Sequence, residues 1–157
     1  MKNIVFTRID DRLIHGQVMT AWLSNTNANE IVIIDDEVAQ DEFIKMVMLA
    51  AVPQGIHVEI LTVDEAVQYL SGEDKGGRII ILVKNPFTIN ELLQKGITIK
   101  ELNVGGMGLR GNRSQVYRNI SASDDEKDIF KKMIEQKIVI NIQVIPSDSK
   151  IDISKYL

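Results

Sequence analysis

The chain has 157 residues, of which 45% are hydrophobic and 25% are charged, and its formal net charge is -4 at pH 7. We expect residues 1–157 to form one domain with a sizeable core, and the acidic balance argues against bulk nucleic-acid binding, which favours a basic face. Because the sequence has no cysteine, disulfides, thiolate metal sites and a cysteine nucleophile are excluded. It also has no apolar run near the ~20 residues of a membrane span, so we expect a cytoplasmic protein.

Short runs of apolar and β-branched residues recur along the chain and predict a series of strands. Several are apolar at consecutive positions, as expected of strands that are buried on both faces of a parallel sheet. The predicted strands cover residues 2–7, 30–34, 57–61, 78–83, 101–104 and 138–144.

Helical patterns occupy the segments between these strands. The predicted helices cover residues 16–24, 41–51, 63–71, 86–95 and 123–136. Pro86 and Gly96 are a typical helix start and stop, and Ser123 with Glu126 resembles a capping box. The regular alternation predicts a three-layer α/β fold, in which an open, mainly parallel sheet has helices on both faces.

The alternation breaks between residues 105 and 121. Residues 105–113 are rich in glycine and carry scattered arginines, and residues 115–117 have the pattern of a short strand. We therefore expect an irregular or antiparallel segment in the C-terminal third. The glycine-rich loop is either a mobile connector or a cap or docking surface.

Polar turns follow four of the predicted strands. They contain His15, Asp35 with Asp36, Lys84 with Asn85, and the glycine-rich loop. Ligands of open α/β sheets bind at the carboxyl ends of the strands, so these turns are expected to share one edge. His57 opens a strand at the opposite edge and is predicted to be structural.

His15 is the strongest candidate for chemistry. An isolated histidine is more often structural, but here the neighbouring residues favour a functional role. Asp10 can orient the ring and fix its tautomer, as a carboxylate does for a catalytic imidazole. Arg8 and Arg12 can offset the charge of a phosphate group.

Several other polar residues are weaker candidates. Backbone amides at Gly16 and Gln17, which begin the first helix, can donate to phosphate oxygens. Lys84 is either a strand-end charge or a cation at the phosphate site. Asp35 or Asp36 either caps a helix or lines the His15 site. Asp11 is expected to be a solvated turn residue.

The apolar residues that stand out by type are expected to be structural. Trp22 and the pair Met46 and Met48 are predicted to lie in the core or between packed helices.

Residues 8–18, RIDDRLIHGQV, resemble the signature of the IIB component of the mannose/fructose/sorbose family of the bacterial sugar phosphotransferase system. The resemblance covers nearly the whole chain. Weaker matching segments follow in the family's order at residues 33–39, 50–56, 83–86 and 103–107. Several other IIB families use cysteine as the acceptor, so the absence of cysteine agrees with the histidine-dependent family.

The resemblance implies a phosphotransferase in which His15 accepts a phosphoryl group, on Nδ1, from a phosphohistidine of a IIA domain. The group then passes to a sugar held by the membrane components IIC and IID, with which the protein would associate peripherally. By position, Asp10 would orient or tune His15 and Arg12 would contact the phosphoryl group, with Arg8 as an electrostatic helper. The scheme requires no metal, nucleotide or other cofactor. The sugar is not readable from the sequence, and a homodimer is left open.

Two other classes of function are kept as alternatives. One is a stand-alone histidine acid/base enzyme acting on a small phosphorylated metabolite, which would turn over that metabolite without a partner protein. The other is a non-catalytic regulatory binding domain in which His15 only caps a helix.

Overall fold

The computed structural model describes all residues from 1 to 157. It contains nine strands, which are β1 (Ile4–Asp10), β2 (Glu30–Ile34), β3 (His57–Leu61), β4 (Ile79–Val83), β5 (Glu101–Gly106), β6 (Ser114–Tyr117), β7 (Ile120–Ala122), β8 (Val139–Ile142) and β9 (Ile151–Asp152). The helices are α1 (Gly16–Thr26), α2 (Asp36–Ala39), α3 (Glu42–Ala50), α4 (Val63–Ser71), α5 (Pro86–Gln94) and α6 (Asp124–Glu135), followed by a 3-10 turn at Ile153–Tyr156.

Seven strands form one sheet in the order β3-β2-β4-β1-β5-β8-β9. All neighbouring pairs are parallel except β8 with β9, which is antiparallel. Strands β6 and β7 form a separate antiparallel hairpin, which joins the end of β5 through a bridge between Met107 and Ile120. The mainly parallel sheet and the antiparallel segment in the C-terminal third are therefore both confirmed.

Helices cover both faces of the sheet, as predicted. The larger core has 24 buried residues and packs α4, α5 and α6 against one face, while the smaller has 12 and includes α1 and Val38 of α2. The side chains of β2 alternate between them: Val32 and Ile34 face the larger core, and Ile31 and Ile33 face the smaller. Burial on both faces explains why this strand is apolar at consecutive positions.

Two boundaries differ from the prediction in ways that affect the site. Strand β1 continues to Asp10, so Arg8 and Asp10 lie on the strand rather than in the following turn. The four-residue helix α2 was not predicted, because its length is close to one helical turn and gives no periodicity. It begins at an N-cap, Asp35, whose side chain accepts hydrogen bonds from the backbone N–H groups of Glu37 and Val38.

Helix α3 is apolar on more than one face. Ile44 and Met48 pack against the smaller core, but Met46 is 63% exposed, so its predicted place in the core or between packed helices was wrong. The helix also exposes three other bulky apolar side chains, which are Phe43, Val47 and Leu49. None of the helices combines the length and the apolar character needed to span a bilayer.

Candidate functional site

The turn between β1 and α1 presents His15 at the start of a helix. Leu13 takes a left-handed conformation with φ of 58°, and its side chain is buried. Gly16 also has a positive φ, of 48°, which glycine adopts without a Cβ penalty. His15 is the N-cap residue of α1, but its side chain makes no capping hydrogen bond. The imidazole is therefore available for other contacts.

The carboxylate of Asp10 is the centre of the site. It is fully buried and accepts hydrogen bonds from three side chains at once. Arg8 Nη2 donates to Oδ2 over 3.1 Å, and Arg12 donates through Nε to Oδ1 over 3.0 Å and through Nη2 to Oδ2 over 3.1 Å. Nε2 of His15 lies 2.9 Å from Oδ2. A buried carboxylate with these partners is held in a single orientation.

The partners of Asp10 also keep it ionised. Burial alone would raise the pKa of Asp10, but hydrogen bonds from Arg12 and His15 and the charge of Arg8 outweigh it and place that pKa below its ordinary value. Burial lowers the pKa of Arg8, against the opposing effect of Asp10, whereas the hydrogen bond to Asp10 raises the pKa of Arg12. With two guanidinium groups around one carboxylate, the cluster has one excess positive charge before any ligand arrives.

This arrangement determines the tautomer of His15. An ionised carboxylate can only accept hydrogen bonds, so Nε2 of the neutral ring carries the proton that it donates to Asp10. Nδ1 then has the free lone pair, and it makes no hydrogen bond within the chain. The His15 side chain is 26% exposed, which lets a reactant approach the ring. The geometry suits nucleophilic attack by Nδ1.

Arg8 does not face an approaching ligand. Its side chain is 1% exposed, and Nη1 donates to Oδ1 of Asn103 over 2.7 Å and to the carbonyl oxygen of Gln143 over 3.1 Å. The donors of Arg8 point into the protein, and its predicted role as an electrostatic helper of phosphate binding stays a prediction. Its link to the site is the hydrogen bond and ion pair with Asp10.

Arg12 is the arginine on the open side of the site. Its side chain is 49% exposed, and Nη1 makes no hydrogen bond within the chain while the other two nitrogens hold Asp10. Gly16 and the exposed Gln17 begin α1 beside it, and a Cβ added at Gly16 would meet no atom within 4 Å. A free guanidinium nitrogen, the unpaired amides of a helix start and open space are features that suit the binding of an anion.

Gly105 and Gly106 make room for this cluster. A Cβ at Gly105 would lie 2.0 Å from Cζ of Arg8, and one at Gly106 would lie 2.8 Å from Oδ1 of Asp10. Sequence reasoning placed both glycines in a loop and missed this role, although they end β5. A glycine pair at the end of a predicted strand was the available signal, because such glycines often mark a close approach of other atoms.

Asp11 is not a solvated turn residue, so that expectation was wrong. Its carboxylate is largely buried and accepts hydrogen bonds from the N–H of Gly108 over 2.8 Å and from Nη1 of Arg113 over 3.4 Å. It also pairs with Arg110 over 3.1 Å. Arg113 is forked onto Glu126, with both N–O distances 2.9 Å. Asp11 thus ties the glycine-rich loop to the His15 turn.

Asp36 and Lys84 lie in a cluster of their own. Asp36 accepts a hydrogen bond from the N–H of Val63 at the start of α4, and Lys84 is 3.8 Å from the carboxylate of Asp35. Neither makes a hydrogen bond or ion pair with the His15 turn. Their contribution to phosphate binding stays a prediction.

The remaining predicted residues have clear places. Trp22 is buried, stacks on Phe6 and donates its indole N–H to the carbonyl oxygen of Val144 over 3.0 Å, so its structural role is confirmed. His57 pairs with Glu59 at the other end of the sheet. No group of three or more His, Asp or Glu side chains is arranged to hold a metal ion.

The known proteins to which the chain is similar all belong to one family. The model of the phosphotransferase system sorbose subfamily IIB component matches residues 4–157. The fructose-specific EIIB component of Bacillus subtilis is 32% identical over 158 residues, which cover 100% of this chain and 97% of that protein. The mannose-specific EIIAB component of Escherichia coli is 37% identical over 151 residues, covering 94% of this chain but only 46% of the longer relative.

Solved structures agree with the fold. The IIBSor domain of the sorbose permease from Klebsiella pneumoniae superposes with a TM-score of 0.94 at 30% sequence identity, covering 98% of this chain and 95% of that one.

Proposed function

The chain belongs to the sorbose-subfamily IIB components of the phosphotransferase system, and we propose that it carries its phosphoryl group on Nδ1 of His15. IIB components of this family are phosphotransferases that accept a phosphoryl group and transfer it to a sugar. The function of this chain is therefore that of a phosphocarrier in sugar transport. Family membership does not favour the stand-alone enzyme or the regulatory domain.

One observation supports His15 most directly. The hydrogen bond between Nε2 and Asp10 leaves Nδ1 as the nucleophilic nitrogen, on the partly exposed side chain of a helix N-cap. Of the two histidines in the chain, only His15 has a buried carboxylate and a free guanidinium nitrogen beside it.

The first transfer step follows from this geometry. Nδ1 of His15 attacks the phosphorus of the donor phosphohistidine in line, forming an N–P bond as the donor N–P bond breaks. The lone pair of Nδ1 enters the new bond while Nε2 keeps its proton, so the ring becomes cationic and the anionic Asp10 stabilises it. Arg12 and the first amides of α1, at Gly16 and Gln17, receive the phosphoryl oxygens.

The second step returns the site to its starting state. A sugar hydroxyl attacks the same phosphorus, the N–P bond breaks, and its electron pair returns to Nδ1. The hydroxyl proton leaves to a base outside this chain. The positive ring makes His15 a good leaving group, and the ring is neutral again once the bond has broken.

A IIB component acts between a IIA component and the membrane components of its transporter. We propose that residues 1–157 do so as a single IIB domain, with a phosphorylated IIA as donor and a IIC/IID pair as the membrane partner. A homodimer and a peripheral position at the membrane belong to the same proposal. The apolar side chains exposed on α3 are a surface that either a second copy of the chain or the membrane partner can contact. Sedimentation velocity would test the dimer.

Labelling from phosphorylated IIA proteins tests the proposal. We expect the wild-type chain to gain one acid-labile phosphoryl group from a cognate member of a IIA panel. His15→Ala should lose it, while His57→Ala, which changes the other histidine, should be labelled as fast as the wild type. Label retained by His15→Ala would overturn the assignment.

A further inference from the structure

The loop at residues 107–113, here called the Gly108 loop, exposes two large side chains next to the site. Leu109 is 73% exposed and Arg110 is 67% exposed. A bulky apolar side chain beside an exposed guanidinium has the composition of a protein-binding surface. We infer that the Gly108 loop is a docking surface for the phosphoryl donor, with Arg110 as the steering cation and Leu109 as the apolar contact. The inference rests on the proposed function.

The loop is anchored at both ends. Gly108 donates its N–H to Asp11 and accepts at its carbonyl oxygen from Nη1 of Arg113, over 2.8 and 3.1 Å. Arg113 is fixed in turn by its fork with Glu126, which is buried as part of the capping box of α6. Leu109 therefore projects from a fixed base, and a partner that binds it loses little conformational entropy in ordering the loop.

The loop also continues directly into the phosphate site. A Cβ at Gly106 would lie 3.1 Å from Nη2 of Arg12, and one at Gly108 would lie 3.3 Å from Nη2 of Arg110. The exposed guanidinium groups of Arg12 and Arg110 therefore both lie against residues 106–108. A protein that reaches His15 across Arg12 also meets Arg110.

Charge complementarity identifies the donor as the occupant. A phosphorylated IIA arrives with a dianionic phosphoryl group, whereas the acceptor in the second step is an uncharged sugar. The positive excess around Asp10 attracts only the first of these. Once the phosphoryl group is on His15, it cancels that excess and weakens attraction to the spent donor. The same charges therefore favour donor binding before transfer and donor release after it.

The test measures transfer from phosphorylated IIA at several donor and salt concentrations. Arg110→Gln should raise the KM for the donor up to about fivefold at low salt and make it less sensitive to ionic strength, with kcat unchanged. Leu109→Ser should raise KM about tenfold at every salt concentration. Arg110→Lys keeps the charge and should recover most of the wild-type KM.

Matched controls lie at the amino ends of the parallel strands, away from His15. Lys100→Gln removes the same charge just before β5, and Val139→Ser removes an exposed apolar side chain at the start of β8; neither should change KM. The second step, from phosphorylated chain to sugar in transporter vesicles, should keep its rate in both loop variants.

Several results would overturn the inference. They are an unchanged KM in either loop variant, a fall in kcat at constant KM, or an equal loss in the sugar step. Thermal unfolding checks that Arg110→Gln folds, and Leu109→Ser tests the surface without touching the Asp11 ion pair. If instead the wild-type label is absent from His15, the proposed function fails, which is a distinct result.

Discussion

Nε2 of His15 lies 2.9 Å from Oδ2 of Asp10, a carboxylate with no exposed surface. This contact couples the reactive ring to the buried interior, because the same oxygen also accepts from Arg8 and Arg12. Any change at Asp10 therefore affects the ring tautomer, the orientation of the guanidinium groups and the stability of β1 together.

Asp10→Asn is predicted to slow phosphoryl transfer by about 100-fold. The asparagine amide carries no negative charge to stabilise a cationic ring. Its NH2 group also cannot accept the hydrogen bonds that Arg8, Arg12 and His15 donate to the carboxylate. Because Arg8 loses its buried counter-charge, the free energy of unfolding should also fall, by about 3 kcal/mol. Rapid-quench transfer and urea unfolding measure both effects, with Asp125→Asn on the exposed start of α6 as the control. Wild-type transfer by Asp10→Asn would exclude its role.

Arg12→Lys is predicted to lower kcat/KM about tenfold while the protein stays folded. An ammonium group cannot hold both oxygens of Asp10 and still offer a free donor to phosphate. Steady-state phosphorylation from IIA measures this, and Arg78→Lys, at the far edge of the sheet, should behave as wild type. Equal kcat/KM for Arg12→Lys and wild type would mean that the guanidinium group of Arg12 has no part in transfer.

Alanine at the two glycines that end β5 should have different consequences. Gly105→Ala puts a Cβ into the Arg8 guanidinium and is predicted to cost about 3 kcal/mol of stability. Gly106→Ala instead displaces Asp10 and is predicted to reduce transfer more than stability. Gly72→Ala, whose Cβ would lie 3.2 Å from the Tyr69 carbonyl oxygen, is a milder control. Thermal unfolding and labelling of all three variants measure the contrast, and Gly105→Ala with wild-type stability would argue against the close packing.

The lowered pKa of Asp10 predicts a component of acid unfolding. A carboxyl group with a depressed folded-state pKa stabilises the fold fully above its unfolded value, about 3.9, and loses that contribution as pH falls through the folded pKa. Stability measured by urea unfolding should therefore fall below about pH 4 in the wild type. The slope should be shallower in Asp10→Asn, and identical slopes in the two proteins would contradict the assignment.

The architecture was largely predictable because its signals are local. Apolar runs such as those of β2 and β4 reflect burial on both faces, and the capping box at Ser123 is present as predicted. The short helix α2 and the exposed side of α3 were missed, since one turn has no periodicity and an apolar helix does not show by sequence which side stays open.

The site was only partly predictable, for a different reason. His15, Asp10 and Arg12 lie within six consecutive residues, so their grouping could be inferred from the sequence. The contacts that hold Arg8 and Asp11 in place join residues 95 to 135 positions apart. A single sequence carries no record of such pairs, so the burial of these two side chains was not predicted.

The central claim is that Nδ1 of His15 carries the phosphoryl group, and NMR of the phosphorylated chain with isotope-labelled histidine tests it most directly. We predict phosphorus–nitrogen coupling to Nδ1 of His15, with Nε2 still protonated by virtue of its hydrogen bond to Asp10. Coupling to Nε2, or to a ring nitrogen of His57, would contradict the account.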